Sequence, residues 1–166
     1  MTLPKPDIAY IPCNQEIVEA ILELAKINSE DIIYDLGCGD GRILIAAAKK
    51  YGTCGVGIDI DPQRIKQAKQ KALENKVDKQ LEFYQQNLYN SNFADANVLF
   101  IYLLPHLNLR LRPQLWKQLK PGTRIISRDF DMGDWKPLKQ LTLTVKEEEE
   151  EDEEEVTLYY WEIGSR

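Results

Sequence analysis

Three glycines and two aspartates carry the strongest chemical signal in the chain. Residues 35–41 read Asp-Leu-Gly-Cys-Gly-Asp-Gly, so Gly37, Gly39 and Gly41 alternate with other residues directly after Asp35. Glycines at a turn let a ligand approach the backbone with no Cβ in the way. A dinucleotide site asks for a different spacing, Gly-x-Gly-x-x-Gly, and places a pyrophosphate at the helix start. A carboxylate such as Asp35 would repel that pyrophosphate. It would attract a ligand with an ammonium group and a sulfonium, and S-adenosylmethionine (SAM) has both. Asp59 closes the run Gly57-Ile58-Asp59. A carboxylate at the end of a second strand can accept hydrogen bonds from both ribose hydroxyls. Asp61 stands just before Pro62 and reads first as a helix cap. The expected cofactor-binding set is therefore Asp35, Gly37, Cys38, Gly39, Gly41 and Asp59. Asn87, past the third strand, is a candidate for the adenine edge.

Elements of a particular order must position these residues. Asn14 can cap a helix running to about residue 27, because Ile17, Val18, Ile21 and Leu22 recur at helical spacing. Strands are expected at 31–36, 54–58, 81–86, 97–103 and 123–127. Helices are expected at 42–50, 62–75 and 107–119, with Pro113 kinking or splitting the last. Residues 87–95 read as a polar loop. Two alternating segments, 138–146 and 156–163, read as final strands. Strand–helix alternation implies an α/β fold, a Rossmann-like and mostly parallel sheet with helices on both faces. The last two strands imply an antiparallel C-terminal hairpin at one edge.

The chain has 166 residues, 43% hydrophobic and 29% charged, which suits one soluble domain over 1–166. The longest apolar run, Val98 to Leu104, is too short to cross a bilayer, and residues 1–12 hold no stretch of signal-peptide length. No membrane insertion and a cytoplasmic location are expected. Cys13, Cys38 and Cys54 form no Cys-x-x-Cys pair, so neither a metal site nor a disulfide framework is expected. The net charge of −6 is local in origin. Nine of the 27 acidic residues form the unbroken tract Glu147–Glu155, and the remaining 18 face 21 basic ones. Such a tract reads as a self-repelling loop between the two final strands.

With its glycine turn, Asp59 and strand order, the chain resembles the class I SAM-dependent methyltransferases, whose shared fold is a seven-stranded sheet with the last strand antiparallel. A narrower likeness rests on Tyr10-Ile11-Pro12, Tyr34 to Ile43, Tyr102-Leu-Leu-Pro105, Arg124 to Phe130 and Trp135-Lys-Pro137. These runs are similar to small prokaryotic relatives of the ATP-synthase c-subunit lysine methyltransferase family. That resemblance implies a lysine side chain of a protein as methyl acceptor. It also implies that Tyr10 to Pro12 closes over the methionine end of SAM and that Tyr102 to Pro105 lines the transfer channel.

Methyl transfer to an amine needs a neutral nucleophile, and an apolar channel favours the neutral form by desolvation. Tyr102, Phe130 and Trp135 are candidates to line it, and Asp129 to orient the amine or accept its proton. The Asn/Asp-Pro-Pro-Tyr/Phe signature of amino-methylating nucleic-acid enzymes is absent. So is an aromatic-interleaved basic stripe, and Arg110, Arg112, Lys117 and Lys120 read as a solvated helix face. Nucleic acid is therefore not an expected partner. A small-molecule methyltransferase and a non-catalytic SAM-binding protein are the competing readings.

Overall fold

The computed structural model describes residues 14–146 and 153–164. Seven strands form one sheet: β1 (Ile32–Leu36), β2 (Cys54–Asp59), β3 (Leu81–Gln85), β4 (Val98–Ile101), β5 (Arg124–Arg128), β6 (Lys139–Val145) and β7 (Glu154–Glu162). Their order is β3-β2-β1-β4-β5-β7-β6. The first five pair in parallel, and β7 runs antiparallel to both β5 and β6. This is the expected Rossmann-like sheet with its antiparallel C-terminal pair. Among the described residues four α-helices flank it: α1 (Gln15–Leu24), α2 (Arg42–Tyr51), α3 (Pro62–Glu74) and α4 (Pro105–Gln118).

Local sequence explains most boundaries. Asn14 accepts from the Ile17 N–H at 2.9 Å and starts α1, and Asp61 accepts from the Gln63 N–H with Pro62 following. Gly52, at φ +72°, ends α2. The sheet then separates two apolar layers. Ile17, Ile21, Leu44, Ala68, Phe83 and Phe100 belong to the side covered by α1, α2 and α3. Leu36, Ile58, Leu99, Leu111, Leu115 and Trp161 belong to the side covered by α4.

Three features differ from the sequence expectation. Helix α4 runs unbroken through Pro113. Pro113 and Leu109, whose carbonyl would have taken the missing hydrogen bond, both sit on the exposed side, where water can replace it. The polar loop 87–95 holds a short 3-10 turn, Leu88–Asn90, capped by Asn87. The acidic tract is not loop throughout, since Glu154 and Glu155 belong to β7 and pair with Val145 and Thr144. Of the final pair, β7 lies inside and β6 at the edge. Val156, Leu158 and Tyr160 bury one face of β7 and Trp161 the other, whereas most of β6 is exposed. A strand with two apolar faces belongs in a sheet interior. Among the described residues no helix is long and apolar enough to cross a membrane.

Candidate active site

The strand order reverses between β1 and β4, which leaves a crevice at the carboxyl ends of the parallel strands. Asp35 is the penultimate residue of β1 and Asp59 the last of β2. Between β1 and α2, Gly37, Gly39 and Gly41 all take positive φ, at 88°, 56° and 79°. That conformation is the reason for three glycines in five residues. The Gly37 and Cys38 N–H groups both donate to the Ile58 carbonyl, and the Gly39 N–H donates to Asp59 Oδ2 at 2.9 Å. The turn is thus bound to the end of β2. A Cβ built on Gly37 would meet nothing within 4 Å, so the turn has open space on one side. Gly57 has the opposite surroundings, since a Cβ there would fall 2.7 Å from the Phe83 ring and 2.8 Å from Cys38 Sγ.

Three carboxylates converge on this turn, each in a different electrostatic state. Asp40 is buried, which opposes its charge, yet hydrogen bonds and charge from Arg42 and Lys71 outweigh burial and hold its carboxyl well below the usual range. Asp59 accepts from the Gly39 N–H through one oxygen and from the Asp61 N–H through the other. Each oxygen keeps a lone pair for a further donor. Asp35 is buried, and no cation among the described residues compensates its charge. Burial, then Asp59, then Asp40 push its carboxyl up to about 8. Burial also pushes the Cys38 thiol up, with Asp35 and Asp59 adding to it. A ligand cation placed beside Asp35 would favour its ionised form and draw off that proton.

The ends of β4 and β5 supply an aromatic pair. The Tyr102 and Phe130 rings stack at 6.0 Å and 17°. Arg128, fully buried, lays its guanidinium 4.6 Å from the Tyr102 ring centroid. Arg128 also meets Asp129 at 3.5 Å and Glu154 at 3.2 Å.

Asp129 has φ +64°, and its Oδ1 accepts from the Thr157 N–H, so its carboxylate braces the turn out of β5. Trp135 lies apart from the pair. Its ring packs 5.3 Å from Trp116 and 5.8 Å from Trp161, within the α4-side core, whereas Tyr102 packs against the other layer. Asn87 is exposed and its Oδ1 accepts from the Tyr89 N–H, which leaves its NH2 group as donor. Tyr10 lies outside the described residues.

Several site residues escaped sequence reasoning. Arg128 and Asp40 stand inside the runs Arg124–Phe130 and Asp35–Gly41, but nothing local shows what either faces. Asn108, fully buried on α4, donates to the Phe130 and Asp131 carbonyls at 3.2 and 3.0 Å. It holds the turn that carries Phe130, and its distance from that turn in sequence hid the role.

The ANTKMT methyltransferase domain matches residues 35–139, from Asp35 through the aromatic pair. The chain belongs to that family. It is a SAM-dependent methyltransferase. Over 133 residues it is 39% identical to a protein-lysine N-methyltransferase of Saccharolobus islandicus (strain REY15A), covering 80% of this chain and 83% of that protein. It is 28% identical to the human ATP-synthase c-subunit lysine N-methyltransferase, covering 81% of this chain but 57% of the human one. Among solved structures, an RNA methyltransferase from Salinibacter ruber bound to S-adenosyl-L-homocysteine superposes with a TM-score of 0.83. It shares 43% identity and is covered to 95%, against 94% of this chain.

The residues present fit SAM. The methyltransferase turn offers open space at Gly37, a buried carboxyl at Asp35 for an ammonium group, and lone pairs on Asp59 for ribose hydroxyls.

Proposed function

We propose that this methyltransferase transfers the methyl group of SAM to the ε-amino group of a lysine on a protein. The observation that carries the reading is the 39% identity to a protein-lysine N-methyltransferase across most of both chains. The geometry supports it. When bound, SAM supplies a methyl group already activated on a sulfonium, so the chain's own task is alignment and desolvation. Asp35 holds the ammonium end and Asp59 the ribose. The exposed NH2 of Asn87 serves the adenine edge. Tyr102 and Phe130 form a wall that excludes water and favours the neutral amine. Arg128 fixes the Tyr102 ring, and Asp129 serves that wall by holding the turn that carries Phe130. A cytoplasmic setting belongs to the same reading, supported by free thiols at Cys38 and Cys54.

The Salinibacter ruber relative favours a second reading, in which RNA is the acceptor. One experiment separates them. The chain is incubated with methyl-labelled SAM and a cell lysate, and the products are split for protease or ribonuclease treatment. Label lost to protease, and found on lysine by mass spectrometry, supports the first reading. Label lost to ribonuclease supports the second, and label confined to small molecules removes both.

A further inference from the structure

We infer that Asp40 and Lys71 are positioning residues for SAM: they hold the glycine turn against α3, and cofactor affinity depends on them through the turn rather than through contact. Asp40 stands inside the turn, between Gly39 and Gly41. Its side chain is only 6% exposed, whereas the open space of the turn lies at Gly37. A carboxylate buried to that degree needs partners to stay charged. Its Oδ1 accepts from the Arg42 N–H at 3.3 Å and from Arg42 Nε at 3.0 Å. Its Oδ2 accepts from Arg42 Nη2 at 2.7 Å and from Lys71 Nζ at 2.5 Å.

These two partners fix different things. Arg42 is two residues away, in the first turn of α2, so its bonds shape the turn without locating it in the fold. Lys71 belongs to α3, 31 residues away, and its bond does locate it. The fit at that place is close. A Cβ on Gly41 would fall 3.2 Å from Ala68 Cβ and 3.0 Å from the Phe83 ring. Ala68 and Lys71 stand three residues apart and share one face of α3. Ala68 leaves room for the turn, and Lys71 supplies the charge that holds it there. The Gly39 N–H, meanwhile, donates to Asp59 at the end of β2. Two adjacent residues thus fasten the turn, Gly39 to β2 and Asp40 to α3.

The charge on Asp40 also reaches the carboxyl proposed to meet the cofactor. Burial raises the Asp40 carboxyl, but bonds from Arg42 and Lys71 outweigh it and hold the group well below the usual range. Asp40 is therefore ionised wherever the enzyme works. Asp35 feels that charge, after burial and Asp59, as a push toward its protonated form. The groups facing Asp35 are Asp59 from β2 and, from the turn itself, Asp40 and the Cys38 thiol. Replacing Asp40 with a neutral amide therefore loosens the turn and lets Asp35 ionise at lower pH. Packing alone has no such second effect.

This role rests on the turn holding SAM, as proposed above, so Asp35→Asn serves as the control. SAM affinity is measured by calorimetry on the full chain across about pH 6–8. Lys71 is half-exposed, so Lys71→Met disturbs little packing. It is expected to weaken SAM binding about fivefold, and Lys71→Arg, which keeps the charge, to recover most of the loss. Asp40→Asn is expected to weaken binding more at pH 8 than at pH 6. The double substitution should bind no more weakly than Asp40→Asn alone, because the two residues act as one pair. Parental affinity in Lys71→Met overturns the inference, and so do losses that simply add in the double substitution. A loss in Asp40→Asn that is uniform with pH assigns Asp40 to packing and overturns it too. If Asp35→Asn binds weakly while the Asp40 and Lys71 variants bind normally, the positioning role alone fails. If all three bind normally, the placement of SAM at this turn fails with it.

Discussion

Asp35 holds its proton up to about pH 8 in the free protein, through burial first and the neighbouring Asp59 and Asp40 next. A bound ammonium group favours the ionised carboxylate, so SAM binding must expel that proton. Affinity should therefore rise with pH up to about 8 and fall above it, where the α-ammonium group of SAM loses its own proton. Calorimetry at pH 6.5 in buffers of differing ionisation enthalpy should detect nearly one proton released per SAM, and a pH-independent affinity would contradict the assignment. The same group destabilises the empty fold. Unfolded aspartate titrates near pH 4, so between about 4 and 8 the folded state binds the extra proton, and its stability from this group declines as pH rises. Asp35→Asn removes that decline. The variant is expected to melt higher than the parent at pH 8 in the absence of SAM and to bind SAM at least 50-fold more weakly. Gly57 offers a steric counterpart. A methyl group at 2.7 Å from the Phe83 ring forces a shift, and Gly57→Ala should cost about 1–3 kcal/mol in denaturant unfolding.

At the scale of elements, the strands and helices up to β3 were legible because each carries its own punctuation: Asn14, the three glycines of the turn, Asp61-Pro62. The placement of the turn and of Asp59 was legible for the same reason, since backbone conformation and a strand end confine them. Legibility failed where long-range packing decided the outcome. Pro113 reads as a break, yet its exposed side lets α4 continue. Trp135 reads as a channel aromatic, yet Trp116 and Trp161, far from it in sequence, draw it into the α4-side core. Arg128 and Asn108 gain their roles only when β4, β5, β7 and α4 are assembled. Asn108 is the sharpest case, as one buried amide supplies donors to two carbonyls of the turn bearing Phe130. Asn108→Ala leaves those carbonyls without that donor, at a cost of about 1–3 kcal/mol. Its methyl-transfer rate should fall while SAM affinity holds, because the turn lies beyond the residues proposed to hold the cofactor. Equal losses in both would assign Asn108 to general packing instead.

At the scale of the molecule, the acidic tract divides into two parts with different expected consequences. The ladder of β6 with β7 continues past the last residue of β5: Arg128 pairs with Leu158, while Glu154 pairs with Val145 four residues further on. The hairpin therefore projects at the carboxyl end of the parallel strands, the end that carries Asp35, Asp59 and Tyr102. Glu154 belongs to β7 and meets the buried Arg128, which lies over Tyr102. The six residues 147–152 connect the strands and are, by sequence, all acidic. Replacing those six with serine and glycine should leave SAM affinity and melting temperature near their original values, as none of the residues proposed to hold the cofactor is among them. Glu154→Gln removes a charge partner from a buried guanidinium, and should lower methyl transfer more than it lowers SAM affinity. Glu154 is half-exposed at its side chain, so its pairing is partly screened and the expected change in stability is small. The two substitutions, compared by SAM calorimetry and by turnover of labelled SAM, distinguish an appendage from a brace. If the six-residue replacement abolishes SAM binding, the tract supports the fold of the site. If Glu154→Gln is silent in turnover, Glu154 is no part of the brace at Tyr102.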